Sequence, residues 1–274
     1  MFDMFTQDFI FNALKVSIIM GLLLSYLGVH VVGRGIVFVD LALGQISMLG
    51  VAVANFIGKD QTLISIIFTM VGAFLLSFIK IKDKRLKQEA IIGIVYAVAS
   101  AATVLFISKS PHGESDISEV LFGSVFTVTN DQILTMAIAF GIIGAVQVVF
   151  RKKFFALTEK FENHEIETIG VFNLWNFLFY LSIGMAIVLA VRSAGVIPVF
   201  SYLIIPPVSA ILLSRKKTSM VIISLMVTVL GSFLGIYFSA HYDFPAGSSV
   251  VAILGAIFAL LAVVRWGISL FLSK

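Results

Sequence analysis

The sequence predicts an all-α polytopic membrane protein with eight to nine transmembrane helices. Of its 274 residues, 59% are hydrophobic and 12% are charged, whereas soluble domains contain about half apolar and about a quarter charged residues. Apolar runs of about 20 residues, which as helices cross about 30 Å of hydrocarbon, recur along the whole chain. We therefore expect residues 1–274 to form a single transmembrane domain without a soluble block longer than a loop.

Nine apolar spans are predicted by hydropathy. The count becomes eight if the first two spans form a tight or broken pair around the "GRG" at residues 33–35. The first span follows eight residues with two acidic and no basic side chains, and it has no small-residue cleavage site, which indicates a retained helix and not a signal peptide. In chain order the spans are residues 10–32, 36–57, 62–80, 90–108, 131–150, 171–191, 195–213, 220–240 and 249–271.

The loops between these spans separate by charge. Three loops carry nearly all the lysine and arginine, and basic loops remain on the cytoplasmic side of a membrane. Two others lean acidic and are expected outside, so the N-terminus is predicted outside and the C-terminus in the cytoplasm. The basic loops are residues 80–89, 151–170 and 214–219, and the acidic ones are residues 109–131 and 240–249.

Two of the loops carry patterns that suggest secondary structure. Residues 116–127 are too few to span but have apolar side chains at helical spacing, which predicts an interfacial or re-entrant helix. The basic loop 151–170 has room for a short amphipathic helix that presents charge to the cytoplasm. A solvated connector anchored by lipid headgroups is the alternative, and composition alone favours it.

Missing motifs exclude several classes of function. There is no cysteine, so any metal chemistry must use oxygen and nitrogen ligands. No GxxxxGK[ST] or GxSxG motif occurs, and His164-Glu165 lacks the second histidine of a zinc protease helix. The net charge of +4 is explained by membrane topology and does not indicate nucleic-acid binding. The chain is therefore not expected to be an enzyme.

Among the few polar groups within spans, Asp40 is the strongest functional candidate. A carboxylate at mid-membrane costs roughly 2.5 to 3.5 kcal/mol, and its short side chain cannot reach the interface as a long one does. The alternative is an Asp that caps its helix or pairs with Arg34 at the cytoplasmic end. Lys15, Gln147 and Arg192 lie near span ends, where structural roles are favoured.

Two further features point to a polar pathway. Pro206 and Pro207 lie in the middle of the seventh span, where they remove two backbone donors and are expected to open the helix toward a cavity; a static kink is the alternative. His241 and Asp243 lie two residues apart in an outer loop, and both side chains suit a divalent cation such as Zn²⁺ or Mn²⁺.

Over nearly its whole length the chain resembles the membrane permease subunits of bacterial ABC importers for zinc, manganese and iron(II). The similar segments occur in the family's order: a first span ending in "GRG", an Asp in a span ending "GVAVA", "QEAIIGIVYAVASAATVLFIS", "SPHGESDISEVLFGS", "FENHEIETIGV", "AGVIPVFSYLIIPPVSAILL" and "YDFPAGSSVV". The resemblance implies a type II ABC importer permease fold in a bacterial inner membrane. It also implies a homodimer, a separate ATPase dimer below it and an extracytoplasmic solute-binding protein above it.

On this resemblance the transported ion, zinc or manganese, is the substrate, and no cofactor is bound permanently. Asp40 and Gln45 would line the path, with Pro206 and Pro207 as its flexible wall. Metal ligands would be Asp40, His241 and Asp243. The loop that couples to the ATPase would use Glu162, Glu165, Ile166, Ile169 and Gly170.

The sequence departs from the family in the second span. Family members carry Asp-x-x-x-His there, whereas this chain has Gly44 four residues after Asp40. Gln45, the next polar residue, lies about 140° around the helix from Asp40, and an amide is a poorer ligand than imidazole for borderline metals. His30, His241 and Asp243 are the candidates for compensation.

Two rival functions remain open. The same architecture serves metal chelates and related cargo, although a longer chain with an additional span would then be expected. Alternatively, a secondary transporter driven by an ion gradient would use Asp40 as a proton or sodium relay.

Overall fold

The computed structural model describes residues 7–79, 88–108, 125–163, 165 and 172–272. Helices account for nearly all of these ranges, and a single 3-10 turn at Val125–Thr127 precedes the fifth α-helix. The α-helices are α1 (Asp8–Arg34), α2 (Val39–Ile57), α3 (Gln61–Ser77), α4 (Gln88–Ile107), α5 (Asn130–Val149), α6 (Arg151–Glu162), α7 (Leu174–Ala194), α8 (Val196–Leu213), α9 (Lys217–Tyr242) and α10 (Ala246–Leu272).

The nine predicted spans all correspond to apolar helices. Among the described α-helices only α6, which lies in the loop 151–170, does not correspond to a predicted span. Eight of the nine are long and apolar enough to cross a membrane, while α3, with 17 residues, is the shortest. The first two spans are separate helices, because Gly35 has a φ of 65° and turns the chain between α1 and α2. Of the helix expected over residues 116–127, only the turn at Val125–Thr127 falls within the described residues.

The helices belong to two compact units. The described residues of the first unit lie within the ranges Met1–Val32, Leu121–Phe140 and Ser193–Lys274. Those of the second unit lie within Gly33–Val120 and Gly141–Arg192.

In the first unit, α8, α9 and α10 pack against one another through small residues. A Cβ atom at Gly231 would overlap the side chain of Leu254, and one at Gly235 would lie 2.5 Å from the α-carbon of Val250. Lipid tails are as apolar as leucine, so helices in a membrane associate through close packing, which glycine permits. A buried hydrogen bond of 2.6 Å between the hydroxyls of Tyr202 and Ser232 adds a polar link between α8 and α9.

In the second unit, α2 packs on α3 and α4. A Cβ atom at Gly50 would lie 2.7 Å from the α-carbon of Ser65, so α2 and α3 approach closely there. Buried hydroxyls in this unit bond to their own helix, as Thr69 and Thr103 do at 2.8 Å to carbonyls one turn earlier. These bonds satisfy polar groups that would be costly in hydrocarbon.

Candidate functional site

Asp40 lies in the first turn of α2 and is buried, with 3% of its surface exposed. Its carboxyl group is within reach of the backbone N–H groups of Asp40 and Leu41, at the helix end where the dipole favours negative charge. Its Oδ1 atom accepts no hydrogen bond in the part of the chain that the structure describes. A buried carboxylate oxygen without a donor is costly, which makes this oxygen a candidate ligand for a cation.

The sequence leaves two alternative roles for Asp40: its place in the first turn of α2, near backbone N–H groups, agrees with a capping role, whereas a pair with Arg34 is not observed. Arg34 instead directs its Nε to Thr158 Oγ1 at 3.1 Å and its Nη1 to Asn176 Oδ1 at 3.0 Å. Both partners are buried and neutral. The predicted site residue and the nearest cation in the sequence therefore have separate surroundings within the second unit.

Gln45 and Gly44 follow Asp40 on α2. Gln45 is half-buried, and Gly44 is buried. A Cβ atom at Gly44 would meet only Ile187 Cγ2, at 3.8 Å, which is an ordinary van der Waals contact. Because residues four apart share a helix face, the space beside Gly44 lies on the same face as Asp40.

Pro206 and Pro207 lie within α8, and the structure corrects the expectation that they open it. The helix is continuous from Val196 to Leu213. Pro207 has no N–H to donate to the Leu203 carbonyl, but α1 packs there, because a Cβ at Gly28 would overlap that carbonyl oxygen and lie 2.7 Å from Pro207 Cγ. The glycine α-carbon thus approaches the carbonyl oxygen for which proline has no donor, as in the Cα–H···O contacts of helix interfaces.

His241 and Asp243 lie at the end of α9 and are exposed. The imidazole of His241 stacks on the ring of Tyr237, with centroids 5.8 Å apart and planes 8° apart. Asp243 is the left-handed residue that ends the helix, with a φ of 56°, and its N–H bonds to the Ser239 carbonyl. No group of three or more His, Asp or Glu side chains able to hold a metal occurs among the described residues.

The predicted coupling loop begins with α6, so the expected amphipathic helix is present over residues 151–162. Its buried face packs on Trp175 and Phe179 of α7, with Phe154 perpendicular to Trp175 at 5.8 Å. Glu162 is its last residue, and Glu165 follows, with its N–H bonded to the Lys160 carbonyl at 2.8 Å. Ile166, Ile169 and Gly170 lie outside the described residues. The buried face consists of Phe154, Leu157, Thr158 and Phe161.

Other polar residues in the spans bond to neutral side chains. Lys15 bonds to Asn12 at 3.2 Å, and Arg192 bonds to the hydroxyl of Thr62, which agrees with structural roles. His30 is fully buried and meets the ring of Tyr26 edge-on at 5.5 Å.

The predicted path residues divide between the two units. Asp40 and Gln45 belong to the second unit, whereas Pro206, Pro207, His241 and Asp243 belong to the first.

The sequence pointed to Arg34 only as an alternative partner of Asp40, and not as a functional residue in its own right. Its only signal was a lone arginine at the end of a long apolar run, and its partners lie 124 and 142 positions away in sequence.

Comparisons with known proteins agree with this architecture. The manganese transport system membrane protein MntB of Synechocystis sp. is 28% identical over 95% of this chain and 85% of its own length. The high-affinity zinc uptake system membrane protein ZnuB of Haemophilus influenzae is 24% identical over 92% of this chain and 96% of its own. The fold resembles PsaBC from Streptococcus pneumoniae, solved in complex with Fab, with a TM-score of 0.77, 23% identity and coverage of 93% of this chain and 91% of that one.

These likenesses confirm the predicted all-α permease fold, in which apolar helices recur over almost the whole chain. The sequence profile of the ABC 3 transport family matches residues 6–265, and the chain therefore belongs to the ABC 3 transport family.

Proposed function

We propose that this protein is the membrane permease subunit of an ATP-driven importer for a divalent transition-metal ion, manganese or zinc. The observation that carries the proposal is the buried Asp40 carboxylate, whose Oδ1 has no donor among the described residues. Relatives named for manganese and zinc transport support the choice of cargo. Carboxylate oxygens suit manganese better than zinc, so Asp40 favours manganese.

In this proposal Asp40 is a transient ligand and Gln45 an auxiliary group beside the path. Passage requires weak coordination, because a site that satisfied every coordination position would trap the ion. Pro206 and Pro207 form part of the wall through the continuous helix α8, and His241 with Asp243 form the outer mouth. The two units together form one permease domain over residues 1–274.

The energy source and the partners lie outside this chain. No phosphate-binding loop occurs in the sequence, so ATP hydrolysis is assigned to a separate cytoplasmic ATPase dimer. That ATPase docks on α6 and on the residues that follow it, including Glu162 and Glu165. A second copy of the chain completes the path, and a solute-binding protein delivers the ion from the side where the N-terminus lies.

The direct test is metal uptake by proteoliposomes that contain the permease and its ATPase. Asp40→Asn removes the charge and keeps the shape, and we expect uptake of Mn²⁺ or Zn²⁺ to fall by about tenfold or more, equivalent to about 1.4 kcal/mol. Asp60→Asn is the matched control. Asp60 is an exposed N-cap that accepts from Leu63 N at 2.7 Å, and asparagine caps helices equally well.

Each rival predicts a different result. Uptake that continues without ATP but collapses with the ion gradient indicates the secondary transporter. Uptake of a metal chelate in preference to the bare ion indicates the other cargo. Unchanged uptake by Asp40→Asn removes Asp40 from the mechanism.

A further inference from the structure

Arg34 is a buried cation without a carboxylate partner among the described residues. Only 6% of its surface is exposed, and its two hydrogen bonds go to the neutral side chains of Thr158 and Asn176. Aromatic rings supply the rest of its surroundings, with Cζ 3.6 Å from the ring centroid of Phe179 and 5.3 Å from that of Phe161. Cation–π contacts and neutral acceptors therefore replace the usual ion pair.

These contacts join residues of four helices at one point, and all of these residues belong to the second unit. Arg34 ends α1, Thr158 lies on α6, and Asn176 lies on α7. Asn176 extends the network to the end of α3, because its Nδ2 donates to the carbonyl oxygen of Ser77 at 3.0 Å.

The backbone beside Arg34 is also held against α6. A Cβ atom at Gly33 would lie 2.7 Å from Glu162 Oε1 and 2.9 Å from Thr158 Cγ2. Two consecutive residues at the end of α1 thus contact α6, one through its side chain and the other through close backbone packing.

The chain from this point to Asp40 is short and hydrogen-bonded. Only five residues separate Arg34 from Asp40, and one of them, Val39, already belongs to α2. The N–H of Val39 bonds to the Ile36 carbonyl at 3.0 Å, and that of Ala42 bonds to the Phe38 carbonyl at 3.1 Å. These two bonds fix part of the short turn that joins Arg34 to the first turn of α2.

We propose that Arg34 is a positioning residue that transmits movement of α6 to Asp40. The inference rests on the proposed function, in which the ATPase acts on α6. A planar guanidinium suits this role, because its donors hold Thr158 and Asn176 in one geometry while its plane lies over the ring of Phe179. Lysine has the same charge but neither the fork nor the flat faces.

The test compares Arg34→Lys and Thr158→Val with the parent in the reconstituted complex with its ATPase. Thr158→Val nearly preserves the shape of the side chain and removes the hydrogen bond that joins Arg34 to α6. Thr103→Val is the control, because it removes a buried hydrogen bond of 2.8 Å to the Ala99 carbonyl in the same unit and involves none of the hydrogen-bond partners of Arg34. The readout is the number of metal ions imported per ATP hydrolysed, measured beside the thermal stability of each complex.

We expect ions imported per ATP to fall about fivefold or more in both variants, as for loss of a typical coupling free energy, while ATP hydrolysis continues and Thr103→Val keeps the parent ratio. If import and hydrolysis fall together in proportion to the loss of folded complex, Arg34 is only structural and the inference is wrong. An unchanged ratio also overturns it. A parent complex that hydrolyses ATP but imports no metal contradicts the proposed function itself.

Discussion

The α-carbon of Gly28 on α1 packs against the carbonyl oxygen of Leu203 on α8, the acceptor for which Pro207 has no donor. A Cβ atom at Gly28 would overlap this oxygen. The proline in α8 and the glycine in α1 are thus complementary at this carbonyl, and α8 is continuous through both of its prolines.

Gly28→Ala is therefore expected to destabilise the protein. Overpacking a close helix contact costs about 1 to 3 kcal/mol, and here the obstacle is backbone that cannot rotate away. Thermal unfolding of the purified protein in detergent measures the effect. Gly93→Ala on α4 is the control, because a Cβ atom there meets nothing within 4 Å, and its melting temperature should equal or exceed that of the parent. Equal melting temperatures for the two variants would contradict the packing argument.

Gly44→His is expected to bind metal more tightly and transport it more slowly. The first atom of the new side chain fits, since it meets only Ile187 at 3.8 Å, and the imidazole lies one helical turn from Asp40. A second, nitrogen ligand strengthens zinc binding more than manganese binding and delays release. Equilibrium binding and uptake of both ions are the measurements. Gly44→Ala, which adds no ligand, should behave as the parent does, and equal zinc affinity in all three proteins would argue against a path along this face.

Asp243→Asn separates a structural role at the outer end of α9 from a metal-binding role. Asparagine tolerates the left-handed backbone, with a φ of 56° here, as well as aspartate does, so the stability should be unchanged. The negative charge is lost, and we expect uptake to weaken at limiting metal concentration and to recover at saturating metal. Uptake that is unchanged at every concentration would leave Asp243 as a helix cap alone.

The predicted topology places α6 in the cytoplasm and the end of α9 outside. The chain has no cysteine, so single cysteines introduced at the exposed positions Lys153 and Tyr242 report accessibility without interference. In intact cells a membrane-impermeant maleimide should label Tyr242→Cys and spare Lys153→Cys. Permeabilised cells, in which both should react, provide the control. The reverse pattern in intact cells would invert the orientation.

The sequence predicted the helices well because burial in hydrocarbon is a property of each span by itself. Every predicted span lies within a few residues of an observed helix, and the loop 151–170 does contain an amphipathic helix. The path residues were harder to predict. Nothing local indicates that Gly28 approaches the carbonyl opposite Pro207, and α8 is continuous where we expected it to open.

The contacts of Arg34 were also harder to predict than the helices. A lone arginine beside a span normally indicates topology, and a nearby aspartate is its simplest partner. Its actual partners, Thr158 and Asn176, are neutral and distant in sequence, so no charge pattern marks them. Only the packing of α6 and α7 brings them to the end of α1.

The short helix α3 has a consequence for the surrounding lipid. Its 17 residues rise about 26 Å, less than the about 30 Å of an average hydrocarbon core. Its outer side exposes large apolar side chains such as Leu63, Val71 and Leu75, which require acyl chains around them. We therefore expect the bilayer to be thinner around α3, and uptake by proteoliposomes to depend on the acyl-chain length of the lipid.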